Sequence, residues 1–381
     1  MSGIAIVAVV MIVVVFIDSF ETMILPRRVR HSYRLARLYY FSAWRLWRKA
    51  AQVFPRGSWR HSFLSVFGPL SLLGLVTVWA TGLIVGFALL HWSLGTALAR
   101  GHDTDSDLTT YLYFSGTTFF TLGYGDLVPT DGFGRVLSVA EAGIGFGFLA
   151  MVISYLPVLY QAFSRREVPI SKLDARAGSP PTAGEFLRRL FQAGASAELR
   201  ELLGEWERWA AELLESHLSY PVLSYYRSQH DNQSWVAMLT MILDTSALLI
   251  AGIDSPDGYQ ARLTFAMARH AAIDLGLVFQ RRPKPTPSDR LSADELTRLL
   301  KTIGLAGLKT RDANALGKAM TELRNLYEPI VNALAAHFQF DVPPFFPGKQ
   351  PVDNWQTSPW APRSPGLGAL PAAERASEDF H

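Results

Sequence analysis

Three stretches of this 381-residue chain are long and apolar enough to cross a lipid bilayer. They run roughly over residues 3–25, 64–92 and 134–160. A hydrocarbon core about 30 Å thick requires about 20 helical residues. The first stretch has no basic residue ahead of it and no small-residue cleavage site behind it, so it indicates a retained anchor rather than a removable signal peptide. The chain is therefore predicted to be a multi-pass membrane protein.

Composition excludes several classes of function. Mean hydropathy is slightly positive and only 18% of the residues are charged, against about a quarter in soluble domains, so a purely soluble enzyme is not expected. A net charge of +3 is too even for a protein that mainly binds nucleic acid. The chain has no cysteine, which excludes disulfides, thiol nucleophiles and cysteine-ligated zinc. No cofactor is expected.

The distribution of charge predicts the orientation of the spans. The segment between the first two spans contains ten basic residues and no acid, namely Arg27, Arg28, Arg30, Arg34, Arg37, Arg45, Arg48, Lys49, Arg56 and Arg60. The positive-inside rule places this segment in the cytoplasm. The loop with Asp103, Asp105 and Asp107 then falls outside, and Arg165 and Arg166 fall inside. The N-terminus is predicted outside and the large C-terminal region in the cytoplasm.

Aromatic and leucine residues alternate with the arginines of this basic segment. They are Tyr33, Leu35, Leu38, Tyr39, Trp44, Leu46 and Trp47. Such a pattern is typical of a helix that lies in the headgroup layer of a membrane. The alternative is that the segment is a topology signal and nothing more.

A short apolar stretch, residues 108–120, lies between the second and third spans and is too short to cross the membrane. The sequence Thr-Leu-Gly-Tyr-Gly-Asp follows it at residues 121–126. Non-helical backbone at membrane depth is tolerated only where it is buried in protein or lines a watery cavity. The segment is therefore predicted to be a re-entrant loop, with a short pore helix going in and an extended strand coming out.

The residue types of this strand suit a row of backbone carbonyls that bind a dehydrated monovalent cation. Such a row requires left- and right-handed dihedrals to alternate, and glycine takes the left-handed ones without steric cost. Gly123 and Gly125 lie at that alternation. Four chains around an axis would offer rings of oxygens in place of the hydration shell. The ligands would be the carbonyls of Thr121, Leu122, Gly123 and Tyr124 and the Thr121 hydroxyl.

This arrangement resembles the pore domain of potassium channels, in which Thr-x-Gly-Tyr-Gly between two transmembrane helices is the selectivity filter. The resemblance covers roughly residues 64–160. It implies that residues 121–125 are the filter that binds the permeant potassium ion and that Asp126 is the acid at its outer mouth. Gly134-Arg135 opens the inner helix as in two-span bacterial channels, which puts the gating-hinge glycine of that family at Gly145.

Three positions depart from that family. Tyr113 stands where bacterial relatives often have a tryptophan that hydrogen-bonds the mouth acid, and its hydroxyl has a different reach. Thr117 stands where some relatives have a glutamate behind the filter, and Phe120 where a second threonine is common. Because none of these touches the carbonyl row, they bear on filter inactivation and stability rather than on ion choice.

The third span contains candidate gating residues. Gly145 is either a hinge or a close-packing position, and Pro157 removes a helix hydrogen bond near the cytoplasmic end. Glu141 is ionisable and well inside the span, which makes it a functional candidate. It would either line the central cavity and concentrate cations, or lie behind the filter, protonated and hydrogen-bonded to Ser115 or Thr118.

The region after the spans is predicted to be helical. Thr182 with Glu185 and Ser292 with Glu295 have the spacing of capping boxes. Residues 234–253 are apolar, but Asp244 lies in their middle, which favours a buried core helix over a fourth span. No dinucleotide-type strand–glycine–helix pattern occurs in the sequence. Pro-rich residues 343–371 are predicted to be disordered.

A cluster of polar residues in this region would either bind an unknown small ligand or form an ordinary capped turn. Its members are His217, Tyr220, Tyr225, Tyr226, Arg227, His230 and Asp231. The sequence leaves both interpretations open.

The predicted fold class is an all-α membrane protein with three transmembrane helices, a re-entrant pore helix with its filter, and an α-helical cytoplasmic domain. The predicted segments are an anchor at 1–26, a basic segment at 27–62, a pore domain at 63–162, a linker at 163–181, a helical domain at 182–342 and a tail at 343–381.

The predicted function is passive permeation of potassium, gated by the inner helices, in the plasma (inner) membrane. One pore loop cannot encircle an ion, so the partners are three further copies in a homotetramer, together with membrane lipid. Neither enzymatic activity nor a nucleic-acid partner is expected. One alternative is a membrane-anchored sensor that uses a channel-like scaffold. Another is an active potassium transporter, which normally has four linked pore loops with single glycines.

Overall fold

The computed structural model describes residues 2–24, 35–55, 57–99, 107–229, 232–252, 257–284, 289–305 and 313–347. It divides the chain into two compact units, residues 1–162 and 163–381. Several residues named above lie outside the described ranges, namely Arg27, Arg28, Arg30, Tyr33, Arg34, Arg56, Asp103, Asp105, His230, Asp231 and the proline-rich segment after residue 347.

The first unit consists of helices and one minimal strand pair. In chain order its elements are α1 (Ser2–Met23), α2 (Leu35–Ala50), α3 (Ser58–Ser65), α4 (Phe67–Leu94), β1 (Leu98–Ala99), α5 (Leu108–Phe119), β2 (Val128–Pro129) and α6 (Gly132–Ala177), whose last part belongs to the second unit. The two strands pair antiparallel, with Leu98 opposite Pro129. This pairing joins the end of α4 to the start of α6, with α5 between them in the chain.

Among the residues that the structure describes, three helical segments are long and apolar enough to span a membrane, which confirms the predicted multi-pass, all-α membrane fold. They are Gly3–Met23, Trp59–Leu94 and Gly132–Ala177. The third is longer than the predicted span, because its helical backbone continues through Pro157 and Pro169 to Ala177. Most of the predicted linker at 163–181 is therefore helix.

The first span packs against α4 along a stripe of glycines. A Cβ atom at Gly82 would lie 3.1 Å from Val15, and one at Gly86 would lie 2.6 Å from Ile12. Small residues four apart let two membrane helices approach closely. Asp18 of α1 is buried and accepts hydrogen bonds from the Trp79 indole at 2.8 Å and from the backbone N–H of Ala36 at 3.0 Å.

The basic segment contains the amphipathic helix α2. Its Trp44 is buried against Phe67, with ring centroids 4.8 Å apart. Trp47 stacks on Phe63 at 4.5 Å and donates its indole N–H to the Phe63 carbonyl at 3.1 Å. Leu38 and Leu46 are exposed. One face of α2 is thus held by the helices that follow it, while the other presents leucines between basic residues.

The second unit is helical throughout its described part. After the end of α6 its helices are α7 (Ala183–Gln192), α8 (Leu199–Ser219), α9 (Trp235–Ala251), α10 (Gly258–Val278), α11 (Ala293–Leu305), α12 (Ala313–Asn325) and α13 (Glu328–Phe338), with a short 3₁₀ helix at Pro221–Tyr225. Helix α9 is the centre of this unit and contacts α7, α10, α12 and α13.

In its described part, the apolar segment predicted at 234–253 is a core helix and not a fourth span. Helix α9 has only 17 residues and is buried almost everywhere. Its Asp244 forms an ion pair with Arg290 at 2.5 Å and accepts a hydrogen bond from the Tyr327 hydroxyl at 2.5 Å. A buried carboxylate requires such partners. Burial alone would lower the pKa of Arg290, but the carboxylates of Asp244 and Glu328 raise it above its usual value.

The two predicted capping boxes differ: one forms both of its hydrogen bonds and the other forms only one. Ser292 and Glu295 make both arms of a capping box, at 2.9 and 3.3 Å. Thr182 caps α7 by accepting from the Glu185 N–H at 3.3 Å. The Glu185 carboxylate instead binds Arg188 and Arg189, because these two guanidinium groups lie one turn further along the same helix.

The start of the predicted disordered tail is packed against the second unit. The carbonyl of Pro343 accepts a hydrogen bond from Arg290 at 2.7 Å, and the carbonyl of Phe345 accepts one from the Gly184 N–H at 2.8 Å. The Phe345 side chain is buried. Disorder is therefore the wrong prediction for residues 343–347, because long-range contacts hold them.

Candidate pore site

The N-terminus of helix α5 is capped by Asp107. The carboxylate of Asp107 accepts a hydrogen bond from the Thr110 N–H at 2.9 Å, which satisfies one of the free donors at the helix N-terminus. Tyr111, Phe114 and Phe119 are buried on one face. This face positions the helix, and the chain leaves its C-terminus directly into the segment 121–126.

The backbone of that segment alternates between left-handed and ordinary dihedrals. Thr121, Gly123 and Gly125 have φ of 56°, 54° and 79°, whereas Leu122 and Tyr124 lie outside the left-handed region. The turn into the segment is held by the Leu122 N–H, which donates to the Thr117 carbonyl at 2.8 Å. The left-handed conformation expected at the two glycines also occurs at Thr121. There it has a steric cost, because threonine has a Cβ atom.

The two large side chains of this segment, Leu122 and Tyr124, are mostly exposed in the single chain. Leu122 is 56% exposed and Tyr124 is 70% exposed. Large apolar side chains with such exposure beside an extended backbone are typical of surfaces that another molecule covers.

Tyr113 and Thr117, the two predicted support residues on α5, make different contacts. The Tyr113 hydroxyl donates to the Asp126 carboxylate at 2.9 Å and so ties the end of the segment back to α5. The Thr117 hydroxyl donates to the Phe114 carbonyl of its own helix at 2.9 Å. Tyr113 therefore reaches the acid at the predicted mouth, whereas no bond joins the Thr117 hydroxyl to the 121–125 backbone among the described residues.

Gly145 lies where α6 meets the last residue of α5. A Cβ atom at this position would overlap the carbonyl oxygen of Phe119. At Gly143 and Gly147 a Cβ atom would meet nothing within 4 Å. Helix α6 continues without a break through Gly145 and through Pro157, which is exposed. In this conformation Gly145 serves close packing.

Glu141 lies on α6 and is fully buried within the single chain. Its carboxyl oxygen Oε1 contacts the Ser115 hydroxyl of α5, and its Oε2 lies 3.4 Å from the Nε2 atom of His91 at the end of α4. The carboxyl group thus lies between three helices and presents no surface toward solvent.

His91 is the residue of this group that the sequence analysis missed. It is fully buried, its Nδ1 atom lies 3.0 Å from the Thr96 hydroxyl, and the Phe114 ring packs edge-on against it. A signal was available, because His91 is an ionisable residue within the second apolar span, and such residues are functional candidates by the rule that singled out Glu141.

Asp131 organises the chain between the loop and α6. Its carboxylate accepts backbone hydrogen bonds from Gly134 at 2.7 Å and Ala97 at 3.1 Å. The bond from Gly134 is the main cause that lowers the pKa of Asp131. An ionised Asp131 at the first turn of α6 also suits the positive end of the helix dipole.

The polar cluster predicted in the second unit is a structural junction in its described part. The guanidinium of Arg166 donates to the carbonyls of Leu223 and Tyr226, both at 2.8 Å, and lies 3.3 Å from Nε2 of His217. Burial and then the Arg166 cation lower the pKa of His217 well below its usual value. Arg227 donates to the Phe338 carbonyl at 3.0 Å. The Arg166 contacts fasten the last part of α6 to α8 and to the turn that follows α8, and the Arg227 contact fastens that turn to the end of α13.

Comparison with known proteins gives one family match. The model of a family described as ion channel matches residues 74–161. These residues include α5, the 121–126 segment and the greater part of both flanking spans.

Three relatives share parts of the chain. An uncharacterized membrane protein of Bacillus subtilis (strain 168), named YdjJ, is 28% identical over 223 residues, which are 58% of this chain and 62% of that protein. Protein LctB of Bacillus caldotenax is 32% identical over 94 residues, 22% of this chain and 69% of LctB. Protein LctB of Geobacillus stearothermophilus is 31% identical over 97 residues, with the same shares of 22% and 69%. The chain thus spans less than two thirds of YdjJ, and no solved structure matches it.

Proposed function

This chain belongs to the ion-channel family, and from that premise we propose that it conducts potassium passively through a pore made by four copies of itself. The observation that carries the proposal is the alternation of left-handed and ordinary dihedrals over Thr121, Leu122, Gly123, Tyr124 and Gly125. Such an alternation turns successive carbonyls toward one side, where rings of oxygen replace the hydration shell of a monovalent cation.

Four copies are needed because a single strand offers carbonyls from one side only. Two features of the single chain support an assembly. The side chains of Leu122 and Tyr124 are mostly exposed. Helix α6 also has large exposed apolar residues, namely Phe133, Val136, Val139, Phe146 and Ile153. We propose that neighbouring copies and lipid share these surfaces.

The remaining parts of the proposal concern location and gating. We propose that the protein lies in a plasma (inner) membrane, with its N-terminus outside and its second unit in the cytoplasm, as the positive-inside rule predicts. The gate is formed by the α6 helices, with Gly145 and Pro157 as candidate positions of bending. The second unit receives the stimulus that opens this gate.

Flux through the purified full chain in liposomes tests the proposal. We expect potassium flux that greatly exceeds sodium flux under an equal gradient. Equal fluxes of the two ions would remove selectivity from the proposal. No flux of either ion under any condition would favour the alternative of a membrane-anchored sensor with a channel-like scaffold.

A pair of glycine variants makes the test specific to the carbonyl row. Gly123→Ala forces a side chain onto a left-handed residue, which costs about 1–2 kcal/mol in each chain, and should abolish selective flux. Gly116→Ala is the matched control, because Gly116 is helical and a Cβ atom there would meet nothing within 4 Å. Equal flux in both variants would contradict the assigned filter.

A further inference from the structure

The buried polar groups around Glu141 contain one hydroxyl with two acceptors. The Ser115 hydroxyl lies 2.8 Å from the carbonyl oxygen of Ile84 on α4 and also contacts Oε1 of Glu141. A serine hydroxyl has a single hydrogen to donate but can also accept. If Ser115 donates to Ile84, the hydrogen between Ser115 and Glu141 must come from the carboxyl group.

The other end of the carboxyl group supports the same assignment. Oε2 of Glu141 and Nε2 of His91 face each other at 3.4 Å, longer than a well-formed hydrogen bond, and neither atom has a hydrogen-bond partner among the described residues. The second ring nitrogen of His91 faces the Thr96 hydroxyl at 3.0 Å. A neutral imidazole donates from one nitrogen and accepts at the other. With Thr96 donating to Nδ1, the Nε2–H group is directed at Glu141.

We propose that Glu141 is a neutral carboxylic acid that holds α5 in place between α4 and α6. Hydrogen bonds then run in one direction, from Thr96 to His91, to Glu141, to Ser115 and to the Ile84 carbonyl. Every group in this series has a donor or an acceptor opposite it, and none carries a net charge. Neutral, paired groups are the form that a site without water tolerates.

This series makes Glu141 a positioning residue for the proposed filter. Ser115 lies on α5, which leads directly into residues 121–125, and Phe119 at the end of α5 packs on Gly145 of α6. The α5 helix is therefore attached to α6 at two points one turn apart. A movement of α6 displaces the start of the filter segment unless the Ser115–Glu141 bond is released.

The charged groups near this series have partners of their own. Asp131 is an ionisable group close enough to His91 to feel its ring, and its carboxylate is held by the N–H groups of Ala97 and Gly134. The Tyr111 hydroxyl donates to the Thr96 carbonyl at 2.7 Å. Neither offers a cation that would stabilise an ionised Glu141.

Conservative and disruptive variants of the full chain test the assignment. Glu141→Gln keeps a donor for Ser115 and an acceptor for His91 without a titratable group, so its flux and melting temperature should match the wild type. Glu141→Ala removes both and should lose most flux and melt at a lower temperature. An amide that is as damaging as alanine would overturn the proposal, because it would mean that a charge is needed.

Infrared spectroscopy of the protein in liposomes near neutral pH gives a second measurement that does not depend on conduction. The wild type should show a carbonyl stretching band of a protonated carboxyl group that disappears in Glu141→Gln and persists in the control Glu21→Gln. A spectrum without a band assignable to Glu141 would overturn the inference. The flux comparison rests on the proposed function, whereas the band does not, so a protein that shows the band without flux contradicts only the potassium-channel proposal.

Discussion

Each of the two units buries a histidine completely, but the two side chains face opposite partners. In the first unit, Nε2 of His91 lies 3.4 Å from a carboxyl oxygen of Glu141. In the second unit, Nε2 of His217 lies 3.3 Å from the guanidinium of Arg166. An imidazole beside an acid can share a proton, whereas an imidazole beside a fixed cation must stay neutral. Burial alone therefore does not determine what a histidine contributes.

The same difference extends to the rest of each unit. Around His91 the polar groups are hydroxyls, an imidazole and one carboxyl group, which form neutral bonds. The second unit instead buries full charges in pairs, as in Asp244 with Arg290 and Glu328 with Arg324. A domain that packs around its own polar and apolar core can satisfy ion pairs with many donors at once, whereas hydrocarbon around a membrane span penalises each unpaired charge.

The largest expected effect comes from breaking a buried ion pair in the second unit. Asp244→Ala leaves Arg290 short of a partner and removes the acceptor of the Tyr327 hydroxyl, which should cost about 3–5 kcal/mol of unfolding free energy. Denaturant unfolding of the full chain in detergent, followed by tryptophan fluorescence, measures it. Arg200→Gln breaks the pair of the exposed Arg200 with Asp257 and should cost about 0–1 kcal/mol. Equal losses would contradict the role assigned to burial.

Overpacking of the contact between α5 and α6 should have the next largest effect. Gly145→Ala places a methyl group on the Phe119 carbonyl, which should cost about 1–3 kcal/mol and reduce flux strongly. Gly143→Ala is the matched control, because its site is open within the chain. Liposome flux and melting temperature should separate the two variants. If both were harmless, Gly145 would not be a packing position.

Acidification should destabilise the second unit through His217. Because the folded state lowers the pKa of His217, the unfolded state binds the proton more tightly and stability falls as pH drops below 6.5. The loss should be about 1.4 kcal/mol one pH unit below that value. Unfolding free energies of the wild type and of His217→Gln, measured above and below pH 6.5, should show a weaker pH dependence in the variant. Identical slopes would remove His217 as the cause.

The smallest effect is expected at the mouth of the proposed filter. Tyr113→Phe removes the hydrogen bond to Asp126, which should cost about 0.5–1.5 kcal/mol. Because this bond ends at the Asp126 side chain, outside residues 121–125, ion preference should persist while flux decays faster with time. A change of preference without a change in decay would contradict this division of roles.

Local patterns made much of the fold predictable. Length and hydropathy indicated the three spans, and the Gly-Tyr-Gly run after a short apolar helix indicated the left-handed positions at Gly123 and Gly125. The capping box at Ser292 is also local. Such features depend on neighbours within a few residues, and the sequence displays those neighbours directly.

The features that were missed depend on distant partners. His91 gains its role from Glu141, fifty positions later in the chain, and residues 343–347 are ordered by Arg290 and Gly184. Thr121 takes a left-handed dihedral that its residue type disfavours. The continuation of α6 beyond residue 163 is stabilised by contacts such as that of Arg166 with the turn after α8. None of these partners is visible in a local pattern.

The contact between Asp18 and Trp79 has a consequence for biosynthesis. A carboxyl group in the first span is costly in lipid until it is bonded, and its indole partner is synthesised 61 residues later. The Ala36 N–H can donate to Asp18 earlier, but the carboxyl group of α1 gains the indole bond only after α4 has emerged. We expect the N-terminal span alone to be retained poorly in the membrane and prone to degradation. Assembly of the first unit would then begin with α1 and α4 rather than with the loop of the proposed filter.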